Sequence, residues 1–235
     1  MNIGLRNSCF GGCGVVALSN WIARLDRKNG IDMNKIIKQI PLYRFLGFCV
    51  EMGIEKKVLD CGAGGDCPPL NLFCEYGFET CGIEYDQKQA DLANEYGDRN
   101  GHELNIRVGD MRNLEFADES FGFVYSYNSI FHMTKADVKK SMDEMKRVLK
   151  KDGLMFVNFL SVEDHRYGDG PKVGDNEFEQ IDYGQPVIHS YYEACEAENY
   201  FTGMDILYKE NRVLERIYEG KKIRQGFIDY IVQKK

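Results

Sequence analysis

Val58-Leu-Asp-Cys-Gly-Ala-Gly-Gly-Asp66 is the stretch that decides the fold of this 235-residue chain. An apolar run ending at Asp60 reads as a buried strand, and the glycines at 62, 64 and 65 read as the tight turn that leaves it. Glycine lets the backbone turn sharply and removes β-carbons that would hold a ligand away from the main chain. Pro68-Pro69 then opens a helix at positions where a missing N–H costs nothing, so the helix N-terminus is expected to offer donors. Strand, glycine turn and helix together read as a nucleotide-cradling loop in an α/β sheet.

The loop narrows the ligand. The dinucleotide pattern G-x-G-x-x-G fails, because Cys67 stands at its third glycine, and no G-K-[ST] phosphate loop occurs. A second acid, Glu84, ends the next apolar run, Thr80-Cys-Gly-Ile-Glu84, about 20 residues beyond the loop, where a carboxylate grips a ribose diol. An adenosine compound without a pyrophosphate is therefore expected.

With these residues in view, the chain resembles the class I S-adenosylmethionine-dependent methyltransferases. Val58 to Gly65 is similar to the family's first motif and Gly82-Ile-Glu84 to its second. Val108-Gly-Asp110-Met111 resembles the segment whose acid caps the adenine amino group. Phe121-Gly-Phe-Val-Tyr-Ser126 with Phe131-His132 resembles the fourth strand and its loop, and Met145-Lys-Arg-Val-Leu149-Lys-Lys-Asp-Gly153-Leu resembles the helix, turn and fifth strand. The likeness runs from about residue 40 to the C-terminus and is weakest over 161–187. Three positions depart from the pattern. Asp66 replaces a glycine and is available as a helix N-cap, Gly122 replaces an acid, and Lys151-Asp152 replaces proline-glycine.

The resemblance implies a Rossmann-like, seven-stranded, mostly parallel sheet with helices on both faces and an antiparallel last strand. It implies S-adenosylmethionine as cofactor, with Asp60, Gly62, Ala63, Gly64, Glu84, Tyr85, Asp110, Met111 and Tyr127 as its contacts. Methyl transfer from a sulfonium is an in-line displacement that needs placement of the acceptor more than acid-base help. If the acceptor is a hydroxyl or thiol a base helps, and His132 and His189 are the candidates. Tyr127, Tyr167 and Tyr191 are candidate walls of an acceptor pocket, and Tyr43 or Arg44 a candidate contact for the methionine carboxylate.

Composition agrees with one α/β domain: 43% of residues are hydrophobic, and no apolar run is long enough to span a membrane. A net charge of −7 argues against a general nucleic-acid surface. The eight cysteines are scattered through expected strand ends and helix bodies, so reduced thiols and a cytoplasmic setting are expected. Cys9 and Cys13 are only half of a zinc site, and no metal is expected there or elsewhere.

Residues 1–32 read as a loosely attached N-terminal extension, and 33–235 as the methyltransferase domain. Within the latter, helices are expected over 34–52, 87–96 and 135–149, and strands over 56–60, 79–84, 104–108, 121–126 and 153–160. The polar, glycine-spotted stretch 161–187 is expected to be a loop or lid. After it come a helix from Tyr191 to Tyr200, a strand from Met204 to Tyr208, and a last strand from Arg224 to Val232. The functional expectation is methyl transfer to a small-molecule acceptor by a monomer or homodimer. A non-catalytic cofactor-binding sensor or partner subunit is the alternative, and different chemistry on the sulfonium is a third.

Overall fold

A computed structural model describes residues 41–235 apart from residue 183. The expected extension at 1–32, the Cys9/Cys13 pair and the first residues of the expected 34–52 helix lie outside the described residues. The elements in chain order are α1 (Pro41–Glu51), β1 (Lys57–Cys61), α2 (Leu70–Glu75), β2 (Glu79–Glu84), α3 (Gln87–Arg99), β3 (Ile106–Val108), β4 (Phe121–Ser126), α4 (Lys135–Val148), β5 (Leu149–Ser161), β6 (Lys172–Gly174), β7 (Glu177–Asp182), β8 (Gln185–Tyr192), a 3-10 turn (Glu196–Phe201), β9 (Met204–Tyr218) and β10 (Lys221–Lys234).

β1 to β5 are parallel in the order β3-β2-β1-β4-β5, and β10 closes the far side of β5 in antiparallel register, Tyr230 against Val157. Alternation along the strands feeds two cores. Met155, Val157, Phe159 and Tyr230 join α4 on one face, while Leu154, Phe156 and Ile231 join α1, α2 and α3 on the other. Phe45, Phe73, Tyr125 and Phe156 pack as an aromatic group in the second core, with Phe73 stacked on Tyr125 at 5.1 Å between centroids. The helices end where local chemistry ends them. Asp86 caps α3 through the Gln89 N–H, and Thr134 caps α4 through the Asp137 N–H.

The departures from the family pattern have local causes. A β-carbon on Gly122 would lie 2.3 Å from the Glu55 carbonyl oxygen, so no acid fits there. Asp152 takes the left-handed conformation at φ 62°, the place a glycine would otherwise hold. Asp66 does not cap α2; Pro69 holds the cap position, with no side-chain capping bond.

Three expectations are corrected. The sheet has ten strands among the described residues rather than seven. The extra strands β6, β7 and β8 occupy the expected loop at 161–187, and β8 runs parallel to the end of β5 at Leu160 and Ser161. Leu160 also pairs with Phe227 of β10, so β8 sits on the edge that β4 uses lower down. Tyr191 to Tyr200 is not a helix. Tyr191 and Tyr192 alternate across β8, both fully buried, Tyr191 against Phe178 and Tyr192 against Phe159, and only a 3-10 turn follows.

Candidate functional site

The carboxyl ends of β1, β2, β3 and β4 open on a cleft of about 1160 Å³. It lies where strand order reverses between β1 and β4, the position at which doubly wound sheets bind ligands. Its volume exceeds the roughly 300–1,000 Å³ of a typical small-molecule pocket, and it continues past the tips of β1 and β2 to Asp182, Gln185 and Val187 of the inserted strands.

The glycine loop is braced from within. Gly62 and Ala63 donate to the Ile83 carbonyl, Gly65 donates to the Gln89 carbonyl, and Gly64 donates to Glu84 Oε2 at 2.9 Å. The N–H groups of residues 62–65 are thus consumed in fixing the turn. Gly62 and Gly65 hold φ of 102° and 106°, which other residues avoid. A β-carbon on Gly64 would sit 2.6 Å from Glu84 Oε2, so this glycine admits the carboxylate. Glu84 also accepts from the Asp86 N–H at 3.0 Å and stays half-buried at the cleft wall.

Beneath the loop lies Asp60, 1% exposed. Its Oδ1, the Tyr125 hydroxyl and Ser126 Oγ have no hydrogen-bond partner among the described residues. Burial pushes the Asp60 carboxyl up to about 8, with the nearby Tyr125 hydroxyl opposing and the Glu84 charge adding to the shift. A buried polar group without a partner is costly. An ammonium placed at this end of the cleft would satisfy the acid and restore its charge, so the residues present fit an amino-acid-bearing nucleoside.

Asp110 lines the cleft with its carboxylate clamped by Arg112, which donates Nε to Oδ1 at 2.9 Å and Nη2 to Oδ2 at 2.6 Å. Hydrogen bonding from Arg112 holds that carboxyl below its usual range. Arg112 in turn reaches Asp137 of α4. Tyr85, Met111 and Tyr127 complete this part of the wall. Ala63 is fully buried and does not line the cleft, its β-carbon filling the space that a side chain on Gly82 would need. Tyr43 is in the core, and Arg44 pairs with Glu210 and lies over the Tyr208 ring, so neither reaches the cleft.

At the other end, His132 and Asp182 line the cleft and His189 stands behind them. His189 is 3% exposed, with Nε2 2.9 Å from Asp182 Oδ2, and its ring meets that of His132 edge-on at 4.7 Å. Arg166 Nη1 donates to Asp182 Oδ1 at 2.7 Å. His132 lines the cleft, where loss of hydration, then His189, pull its ring down to about 4, so it is neutral at physiological pH. Burial lowers His189 as well. Tyr191 donates its hydroxyl to Gln180 and Tyr167 bonds Asn176, so of the three tyrosines only Tyr127 faces the cleft. Asp182, Arg166 and Ser129 escaped sequence reading because each depends on a distant partner; Ser129, for instance, fills the space beside Gly62.

Residues 59–157 match the family model of the methyltransferase domain. The chain is 32% identical over 116 residues to the uncharacterized methyltransferase YcgJ of Bacillus subtilis, a match covering 48% of this chain and 45% of that one. It is 31% identical over 128 residues to a sterol 24-C-methyltransferase of Aspergillus fumigatus, covering 52% of this chain and 33% of the relative. The chain thus spans less than half the length of these relatives. Among solved structures, an S-adenosylmethionine-dependent methyltransferase of Methanosarcina mazei superposes with a TM-score of 0.64 at 23% identity, over 80% of this chain and 96% of that one. That likeness is one of fold.

Proposed function

We propose, on the match of residues 59–157 to the methyltransferase domain and on the geometry of the cleft, that this class I S-adenosylmethionine-dependent methyltransferase methylates a small-molecule acceptor, leaving S-adenosylhomocysteine. The family's cofactor supplies an electrophilic methyl group on a sulfonium. What supports the reading above all is the continuity of the cleft, which runs from Asp60 and Glu84 at one end to His132 and Asp182 at the other. A cofactor and a second molecule then share one enclosure, as displacement requires.

In this reading Glu84 holds the ribose diol, Asp60 faces the ammonium, and Asp110 and Met111 border the adenine. Tyr127 stands beside the methionine portion. Gly62 and Gly64 keep the loop close to the ligand. Freeing the acceptor's lone pair falls to the His132 and His189 end. The relative that acts on a sterol gives a precedent for small acceptors, not an identity for this one. Thiols at Cys49, Cys61, Cys74, Cys81 and Cys195 that form no disulfide suit the cytoplasmic setting proposed here. No helix among the described residues is long and apolar enough to cross a membrane.

The test is transfer of isotopic methyl from S-adenosylmethionine to pools of small acceptors grouped by nucleophile: hydroxyl, thiol, amine and carbon. Label appearing in one pool with equal S-adenosylhomocysteine supports the proposal. Cofactor binding without transfer to any pool would favour the non-catalytic sensor.

A further inference from the structure

Asp182 and His189 come from β7 and β8, and His132 from the loop after β4, yet one ligand atom from each lies within 4.8 Å of the other two. We propose that His132, Asp182 and His189 bind a divalent transition-metal ion at the acceptor end of the cleft.

The donor set carries the choice of ion. Two imidazoles and one carboxylate suit zinc, iron, manganese or cobalt, whereas magnesium and calcium prefer oxygen alone. The supporting contacts are those that a bound ion requires. His189 Nδ1 lies 3.3 Å from the Val187 carbonyl oxygen, an atom that only accepts. A proton on Nδ1 leaves the Nε2 lone pair beside Asp182 Oδ2, 2.9 Å away, where a cation can take both as ligands; without an ion, an Nε2 proton is donated to the same carboxylate. Backbone carbonyls commonly fix ligand histidines in this way. Arg166 binds the other carboxylate oxygen and Nη2 reaches the Ile181 carbonyl, which orients Asp182 and leaves Oδ2 inward. Ligand atoms on one tetrahedral ion stand roughly 3.4 Å apart, so His132 must close by up to about 1.4 Å and the His189–Asp182 pair must open by about 0.5 Å. His132 is exposed and lines the cleft.

Three protein ligands leave a coordination position open, the arrangement of a catalytic rather than a structural site. Resting on the methyltransferase reading, we assign that position to the acceptor's hydroxyl or thiol, which coordination acidifies so that its proton passes to solvent. The two histidines then serve as ligands rather than as free bases, and acceptors with an ionisable oxygen or sulfur are selected over amines.

The experiment is cobalt titration of tag-free protein freed of metal with a chelator, followed by visible absorption. A Cys9→Ser/Cys13→Ser background removes the N-terminal thiols as a competing site. The expected result is a single saturable cobalt spectrum of nitrogen and oxygen ligation. His132→Ala, Asp182→Asn and His189→Ala should each weaken it by roughly tenfold or more, with S-adenosylmethionine affinity retained as proof of folding. No saturable spectrum, or one unchanged by His132→Ala, would overturn the metal site. Cobalt binding in a protein that transfers no methyl group to any acceptor would instead count against the methyltransferase reading alone.

Discussion

Gly62 and Gly64 are both needed, for different reasons. A side chain at Gly62 would meet φ 102° and the Ser129 hydroxyl, while one at Gly64 would displace Glu84. The glycines and Glu84 were legible because their spacing is local. The brace between them was not, since the loop donors turn inward to Ile83, Gln89 and Glu84. Asp60 supports a sharper prediction. Its carboxyl ionises near 3.8 in the unfolded chain and near 8 in the fold, so between those values the folded protein holds a proton that the unfolded one lacks. Stability from this group is therefore full below about 4 and is lost as pH rises through about 8. Asp60→Asn should flatten the fall in unfolding free energy across that window, measured by urea denaturation, while weakening S-adenosylmethionine. An unchanged slope would show that Asp60 is already ionised in the fold.

The inserted strands illustrate at the element scale why the 161–187 segment read as a loop. In β7, Phe178 and Gln180 face inward while Ile181 is 65% exposed, so the hydrophobic alternation is inverted at its end. Gln180 makes this possible, donating to the Arg166 and Asp169 carbonyls and accepting from Tyr191. Gln180→Ala should cost about 3 kcal/mol from those unpaired groups. Hydrogen exchange should rise across β6, β7 and β8 with β1 to β5 still protected, whereas uniform exchange would make the insert an inseparable part of the core. In the β9–β10 hairpin, Arg212 pairs with Asp229, which is fully buried, at 2.8 Å. Arg212→Ala should cost about 3–5 kcal/mol by stranding a buried carboxylate, and adding Asp229→Asn should recover much of it in the same thermal melt. The lengths of β9 and β10 were underestimated because their outer halves are exposed and mix charged residues with apolar ones such as Val213, Leu214 and Ile217, stabilised by pairing with each other.

Across the whole molecule, the sheet supplies a rigid floor and strand tips supply the chemistry. Motifs in sequence order were enough to predict β1 to β5 and to bring Asp60, Glu84 and Asp110 to one cleft, since each βα unit carries its own turn signal. At the other end His132 and His189 were legible as single residues, but their meeting with Asp182 was not, because the three come together only after β8 has crossed to the β4 edge of β5. The most direct measurement is calorimetric titration of the wild type and Glu84→Ala with S-adenosylmethionine and S-adenosylhomocysteine. The account predicts micromolar binding of both by the wild type and a loss of about 1–3 kcal/mol in the variant, as hydroxyls lose a charged partner. Failure of the wild type to bind either would contradict it.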